Sequence, residues 1–115
     1  TKHYNAKPIP KEIQVSPRAY QVEGVSWLER LRFMHLNGIL ADDMGLGKTL
    51  QAIIGVTQYH MENQDAKSIV VCPTSLIYNW KEEFERFNPK LKVLTVDGTP
   101  TQRKKLINHL GSYDI

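Results

Sequence analysis

The chain has 115 residues, 41% hydrophobic and 23% charged, and its 15 basic and 12 acidic side chains leave a net charge of +3. This composition excludes a disordered tail, and no apolar run approaches the roughly 18 residues of a transmembrane helix. A chain of this size buries about two thirds of its unfolded surface, enough for one packed unit and too little for two.

Residues 1–15 hold Pro8-Ile9-Pro10 and mixed charges with no periodicity, and read as an extended lead-in; residues 16–115 read as the folded unit. Ser16-Pro17 fits an N-cap with proline at the first helical position, and Tyr20, Gly24, Trp27, Leu28 and Leu31 recur at spacings of three and four, predicting a helix with one apolar face. Gly38-Ile39-Leu40-Ala41 is a short strand candidate. The loop Asp42 to Gly47 leads from it into a helix expected to turn Leu50, Ile53, Ile54 and Met61 inward.

Ser68 to Cys72 is a continuous apolar, β-branched run, the pattern of a strand covered on both faces in a parallel sheet. Pro73 stops it, and Thr74 or Ser75 caps a helix whose Leu76, Trp80, Phe84 and Phe87 line one side. Leu91 to Val96 is a third strand and Asp97-Gly98 a turn. Thr99-Pro100-Thr101-Gln102 then combines a capping box with proline at the first position of a helix facing inward through Leu106, Ile107 and Leu110, with Gly111 as its C-cap. An incipient strand follows at Ser112 to Ile115. The alternation predicts an α/β fold, a parallel sheet with right-handed crossovers. Because the chain starts at Thr1 without methionine and stops at this strand start, it reads as an excerpt of a longer protein.

Gly45-Leu46-Gly47-Lys48-Thr49, between a strand and a helix, carries the most chemistry. Glycines let backbone N–H groups approach a polyphosphate, a helix N-terminus offers unpaired donors, Lys48 has the reach for β/γ-phosphates, and Thr49 is suited to magnesium. The strict eight-residue phosphate-loop pattern is not met, since Asp42 stands at its first glycine position. Asp42 and Asp43 are better suited to shaping the loop than to holding a metal. Cys72 lacks a partner for an internal disulfide or a zinc site, which agrees with a reducing cytoplasmic or nuclear setting. His3, His35, His60 and His109 lie too far apart for a local metal motif. Most of the excess positive charge lies in residues 81–105, which permits a nucleic-acid partner without requiring one. Arg103-Lys104-Lys105 reads as a solvated helix face.

Three separated blocks carry a resemblance: Tyr20-Gln21 with Gly24 and Trp27-Leu28; Gly38 through Gln51; and Val70-Val71-Cys72-Pro73-Thr74-Ser75-Leu76 with Asn79-Trp80 and Glu83-Phe84, followed by Gly98 and Arg103. In order and content they resemble the SWI/SNF-related ATPases of helicase superfamily two over residues 16–115. The sequence departs from that family's usual pattern at Pro17, where leucine is usual, and at Asp43, where glutamate is commoner.

The resemblance implies a three-layer sheet of RecA-like P-loop type, truncated after its first three to four strands, in the first lobe of an ATP-driven translocase on double-stranded DNA. By the same resemblance Gln21 reads the adenine edge, and Asp43, Met44, Gly45, Leu46, Gly47, Lys48, Thr49 and Leu50 form the ATP cradle. Lys48 and Thr49 serve catalysis, Thr49 holds Mg2+, and Thr74 and Ser75 approach the DNA backbone. The implied partners are duplex DNA, DNA-bound proteins and a second ATPase lobe of the parent chain. The family's Asp-Glu motif and second lobe are expected beyond Ile115, so this stretch alone is expected to be inactive. An RNA or single-stranded DNA helicase lobe, or a non-catalytic nucleotide-binding scaffold, are the alternatives.

Overall fold

A computed structural model describes residues 8–41 and 47–115. The first helix, α1, runs Ala19–Phe33. Its cap differs from the expected Ser16-Pro17. Arg18 is the N-cap residue, and its N–H donates to Oε1 of Gln21 at 2.8 Å, so a buried amide three residues into the helix takes up one of the end's spare donors.

The buried row of α1 is Gln21, Val25 and Glu29. Tyr20 and Trp27, expected inside, stay 37% and 38% exposed. Residues four apart stack on one helix face, and here two of the three are polar, which an apolar count overlooks. Glu29 is buried because Arg32 reaches it with Nε at 3.1 Å and Nη2 at 2.7 Å. The same Nη2 meets Glu62 at 2.6 Å, and the guanidinium lies 5.2 Å from the centre of the Tyr59 ring. The hydrogen bond to Glu29, more than any other influence, raises the Arg32 pKa; Glu62 adds to it and burial opposes it.

The second helix, α2, runs Lys48–Glu62 and lies between α1 and the third helix, α3, which runs Ile77–Phe87. Leu50, Ile53 and Ile54 are buried as their spacing predicts, whereas Met61 is 56% exposed and Gln51, Thr57, Gln58 and His60 fill the inner face instead. Thr57 donates its hydroxyl proton to the Ile53 carbonyl at 2.8 Å and accepts from Nδ2 of buried Asn88 at 2.9 Å. That bond ties the residue closing α3 to the middle of α2. His60 and the Ser68 hydroxyl lie 2.7 Å apart, joining the end of α2 to the segment after it.

Phe84 and Phe87 are buried on α3 with Trp80 packed beside them, while Leu76 is 41% exposed. Thr74 and Ser75 do not cap this helix: they sit in a separate 3-10 turn, Thr74–Leu76, and no side chain caps α3. With Ile13, Val25, Leu50, Ile53 and Ile54 these phenylalanines form the core. Ile9 and Val15 lean on it, and the Gln14 N–H donates to the Phe87 carbonyl at 2.8 Å, so the lead-in helps to close the structure.

The fourth helix, α4, runs Pro100–Ile107 with the expected capping box: Thr99 Oγ1 accepts from the Gln102 N–H at 3.2 Å, and Gln102 Oε1 accepts from the Thr99 N–H at 2.9 Å. Its inner face is shallow. Ile107 and Leu110 stay 49% and 42% exposed, and Gly111 lies in a second 3-10 turn, Leu110–Ser112, instead of closing α4. The Lys67 ammonium donates to the carbonyls of Leu110, Gly111 and Tyr113 at 3.1, 3.3 and 2.5 Å, fixing that turn.

The parallel sheet expected from the alternation is not found: the described residues are helical with extended connections, and none forms a strand. Gly38–Ala41, Ser68–Cys72, Leu91–Val96 and Ser112–Ile115 therefore carry no three-layer α/β sheet. A few backbone bonds join the last three, Ser68 N–H to the Asp114 carbonyl at 3.0 Å, Leu94 N–H to the Ile115 carbonyl at 3.0 Å and Ile115 N–H to the Lys92 carbonyl at 3.1 Å, without the continuous ladder that defines paired strands. Ile69 and Val71 are 85% and 88% exposed, so the run that read as covered on both faces packs only through residues such as Val70. An apolar, β-branched pattern reports extended backbone; it does not report whether neighbours supply the hydrogen bonds of a sheet.

Candidate functional site

The candidate site grows from the start of α2. Gly47 is its N-cap residue and has the left-handed backbone φ 75°, ψ 42°, which glycine adopts without strain. Among the described residues no side chain caps this end, and no acidic residue occupies its first turn. N–H groups at the start of a helix and the positive end of its dipole favour an anion. Lys48 and Thr49 are the first two helical residues, which puts an ammonium and a hydroxyl beside those donors. The donor set fits a phosphate with an associated cation.

Gln21 arrives from 26 residues earlier in the chain. Its side chain is buried; Oε1 is held by the Arg18 N–H, and Nε2 donates to the Gly47 carbonyl at 3.5 Å. A methyl group on Gly47 would strike that Nε2. Residues singled out on separate motifs are thereby brought together: α1 delivers Gln21 to the turn that begins α2. Leu50 behaves differently, because its side chain is in the core and only its backbone faces the helix start. Asp43, Met44, Gly45 and Leu46, together with Asp42, lie outside the described residues.

Thr74 and Ser75 are exposed on their 3-10 turn. Both hydroxyls are open to a macromolecular surface, on a turn separate from the meeting of Gln21 and Gly47. A groove of about 600 Å³ opens elsewhere, lined by Ile69, Val71, Trp80, Phe84, Thr95 and Tyr113, and includes none of the candidate site residues. Its lining is mostly apolar.

Sequence reasoning missed one feature beside the site. Gln51, one turn into α2, is fully buried against Gly24 of α1, and both polar atoms of its amide lack a partner among the described residues. The pairing of a glycine on one helix with an amide on another had no local signal. His60, at the far end of α2, is also buried, and burial lowers its pKa from the usual 6.5; Asp114 pulls the other way and Lys67 adds to the lowering.

The family described as SNF2-related domain matches residues 20–115. Helicase SWR1 of Saccharomyces cerevisiae is 46% identical over 99 residues, which cover 85% of this chain and 6% of that protein. TATA-binding protein-associated factor MOT1 of the same yeast is 43% identical over 124 residues, covering 96% of this chain and 7% of that protein. The solved structure of the Sulfolobus solfataricus SWI2/SNF2 ATPase core in complex with dsDNA superposes with a TM-score of 0.81 at 38% identity, covering 97% of this chain and 23% of that one. The chain thus spans a small fraction of the length of these relatives.

Proposed function

The chain belongs to the SNF2-related domain family, and from that premise we propose that it is the ATP-binding portion of an ATPase that moves along double-stranded DNA and displaces or repositions proteins bound there. The observation that carries this reading is the meeting of Gln21 with the glycine-led start of α2. An adenine-reading amide and a phosphate-binding helix end are what a nucleoside triphosphate needs at its two ends.

In this reading the backbone N–H groups of Gly47, Lys48 and Thr49, with Asp43, Met44, Gly45 and Leu46 before them and the Leu50 backbone after them, surround the phosphates. The Lys48 ammonium meets the β- and γ-phosphates and offsets their charge. The Thr49 hydroxyl holds Mg2+, and Gln21 meets the adenine edge with the amide that also caps α1. ATP with its magnesium ion supplies the phosphoanhydride bond whose cleavage drives movement. Thr74 and Ser75, on their exposed turn, rest against the DNA backbone, and a second ATPase lobe of the same parent closes over the nucleotide. Residues 16–115 are proposed as the first part of the ATP-binding lobe, with residues 1–15 leading into it. The setting is nuclear in a eukaryote and cytoplasmic in a prokaryote; no helix among the described residues is long and apolar enough to cross a membrane.

ATP turnover by the full-length protein, compared with duplex DNA, single-stranded DNA, RNA and no nucleic acid, tests the proposal. Stimulation is expected with duplex DNA above all. Greater stimulation by single-stranded DNA or RNA would identify a helicase of a neighbouring family instead, and no turnover under any condition would identify a non-catalytic scaffold.

A further inference from the structure

The seam between α1 and α2 is closest where Gly24 faces Gln51. The direction in which a Cβ would leave Gly24 runs into the Gln51 amide, with Cδ at 2.9 Å from that position, so the glycine hydrogen points at the amide oxygen. This is the geometry of a Cα–H···O contact, available only to a residue without a side chain. Gln51 is completely buried, and neither Oε1 nor Nε2 has a hydrogen-bond partner among the described residues. Leaving a buried amide unpaired is destabilising, a cost that leucine at the same place would avoid. A polar side chain kept where an apolar one is more stable points to a task other than holding the helices together.

The task follows from what shares the seam. Gln21 lies one turn before Gly24 on α1, and Gln51 lies one turn after Gly47 at the start of α2. The Gln21-to-Gly47 hydrogen bond, at 3.5 Å, is at the limit of its range, so a small change in the separation of the helices breaks it. At the far end of the pair, the Glu29–Arg32–Glu62 ion pairs anchor α1 to α2. The height of α1 over the phosphate end is therefore set at Gly24.

We infer that Gly24 and Gln51 are positioning residues for the nucleotide site: the Gln51 amide, seated on the bare Cα of Gly24, fixes the spacing of α1 and α2 and so holds Gln21 against Gly47. This rests on the proposed reading of that site as one for ATP. Gly24 and Gln51 touch no phosphate themselves; they act through Gln21.

The test uses the full-length protein with saturating duplex DNA, reading KM for ATP and GTP, kcat and thermal melting. Three seam variants are compared: Gly24→Ala, Gly24→Ala combined with Gln51→Ala, and Gln51→Leu; Lys48→Ala is the control. Gly24→Ala is expected to raise KM for ATP roughly tenfold, the scale of a small misplacement near a site, with a smaller change in kcat. In the double variant that penalty shrinks, because the group struck by the new methyl is gone. Gln51→Leu is expected to melt at the same or a higher temperature and yet to raise KM for ATP and lower ATP-over-GTP preference, a combination that a purely structural role does not produce. Should Gly24→Ala fail to fold, Gln51→Leu decides. Wild-type KM and nucleotide preference in Gln51→Leu, or penalties that simply multiply in the double variant, would overturn the inference. If Lys48→Ala abolishes turnover while the seam variants keep wild-type KM, only the seam inference falls. If Lys48→Ala still turns over ATP, the reading of the site falls and takes the seam inference with it.

Discussion

The same substitution at two glycines of one region should have opposite effects. Gly47 caps α2 at φ 75°, and a methyl there meets Nε2 of Gln21; Gly55 sits within α2 with nothing within 4 Å of where its Cβ would be. For Gly47→Ala the left-handed backbone costs about 1–2 kcal/mol, and displacing Gln21 costs up to about 1 kcal/mol more for its bond to the Gly47 carbonyl. For Gly55→Ala the helix gains about 0.8–1 kcal/mol, because alanine gives up less backbone freedom in a helix. The two variants should therefore differ by roughly 3 kcal/mol. At roughly 4 °C per kcal/mol for a chain of this size, Gly47→Ala lowers the melting temperature by about 8 °C and Gly55→Ala raises it by about 4 °C. Thermal and urea unfolding followed by the fluorescence of Trp27 and Trp80 reads both. Shifts of the same sign would refute the reasoning, since they would mean that Gly47 is not held left-handed or that Gly55 lacks open space.

Phe84→Ala should destabilise the chain by about 3–5 kcal/mol, because the ring is 1% exposed at the junction of α2 and α3; a loss below about 1 kcal/mol in urea unfolding would contradict that burial. Gln21→Ala should weaken the preference for ATP over GTP in a competition assay, and unchanged selectivity would remove Gln21 from the adenine edge. His60, whose pKa is lowered by burial, favours the neutral ring in the fold. The unfolded chain then binds the extra proton more readily, so this contribution is intact above about pH 6.5 and is lost as pH falls through that value towards the folded pKa. His60→Gln should flatten the fall in melting temperature between about pH 7.5 and 5.5; an equally steep fall in the variant would assign it to another group.

Helices with conventional punctuation and an apolar stripe were legible in the sequence. The box at Thr99 and Gln102 gave α4 its start, and the spacing of Ile53, Ile54, Phe84 and Phe87 gave α2 and α3 their buried faces. What escaped was burial by polar residues. Gln21 and Glu29 lie inside because their partners are Arg18, Gly47 and Arg32, and Arg32 also pairs with Glu62, 30 residues away, where no local pattern reaches. The sheet fails for a related reason: Ser68 to Cys72 has the composition of a covered strand, but a strand is defined by its neighbours' hydrogen bonds, and Ile69 and Val71 face outward. At the site, Gly47-Lys48-Thr49 stands out by its chemistry, and Gln21 only by the family resemblance. Their meeting depends on how α1 crosses α2 at Gly24 and Gln51.

The role of the α2 start in phosphate chemistry is tested most directly by Lys48→Ala in the full-length protein, with ATP turnover and duplex-DNA affinity measured on the same preparation. The lysine serves the phosphates, while DNA affinity is spread over many contacts, so turnover should vanish and most of the DNA affinity should remain. Near-normal turnover in the variant would contradict the assignment of this helix end as the phosphate site.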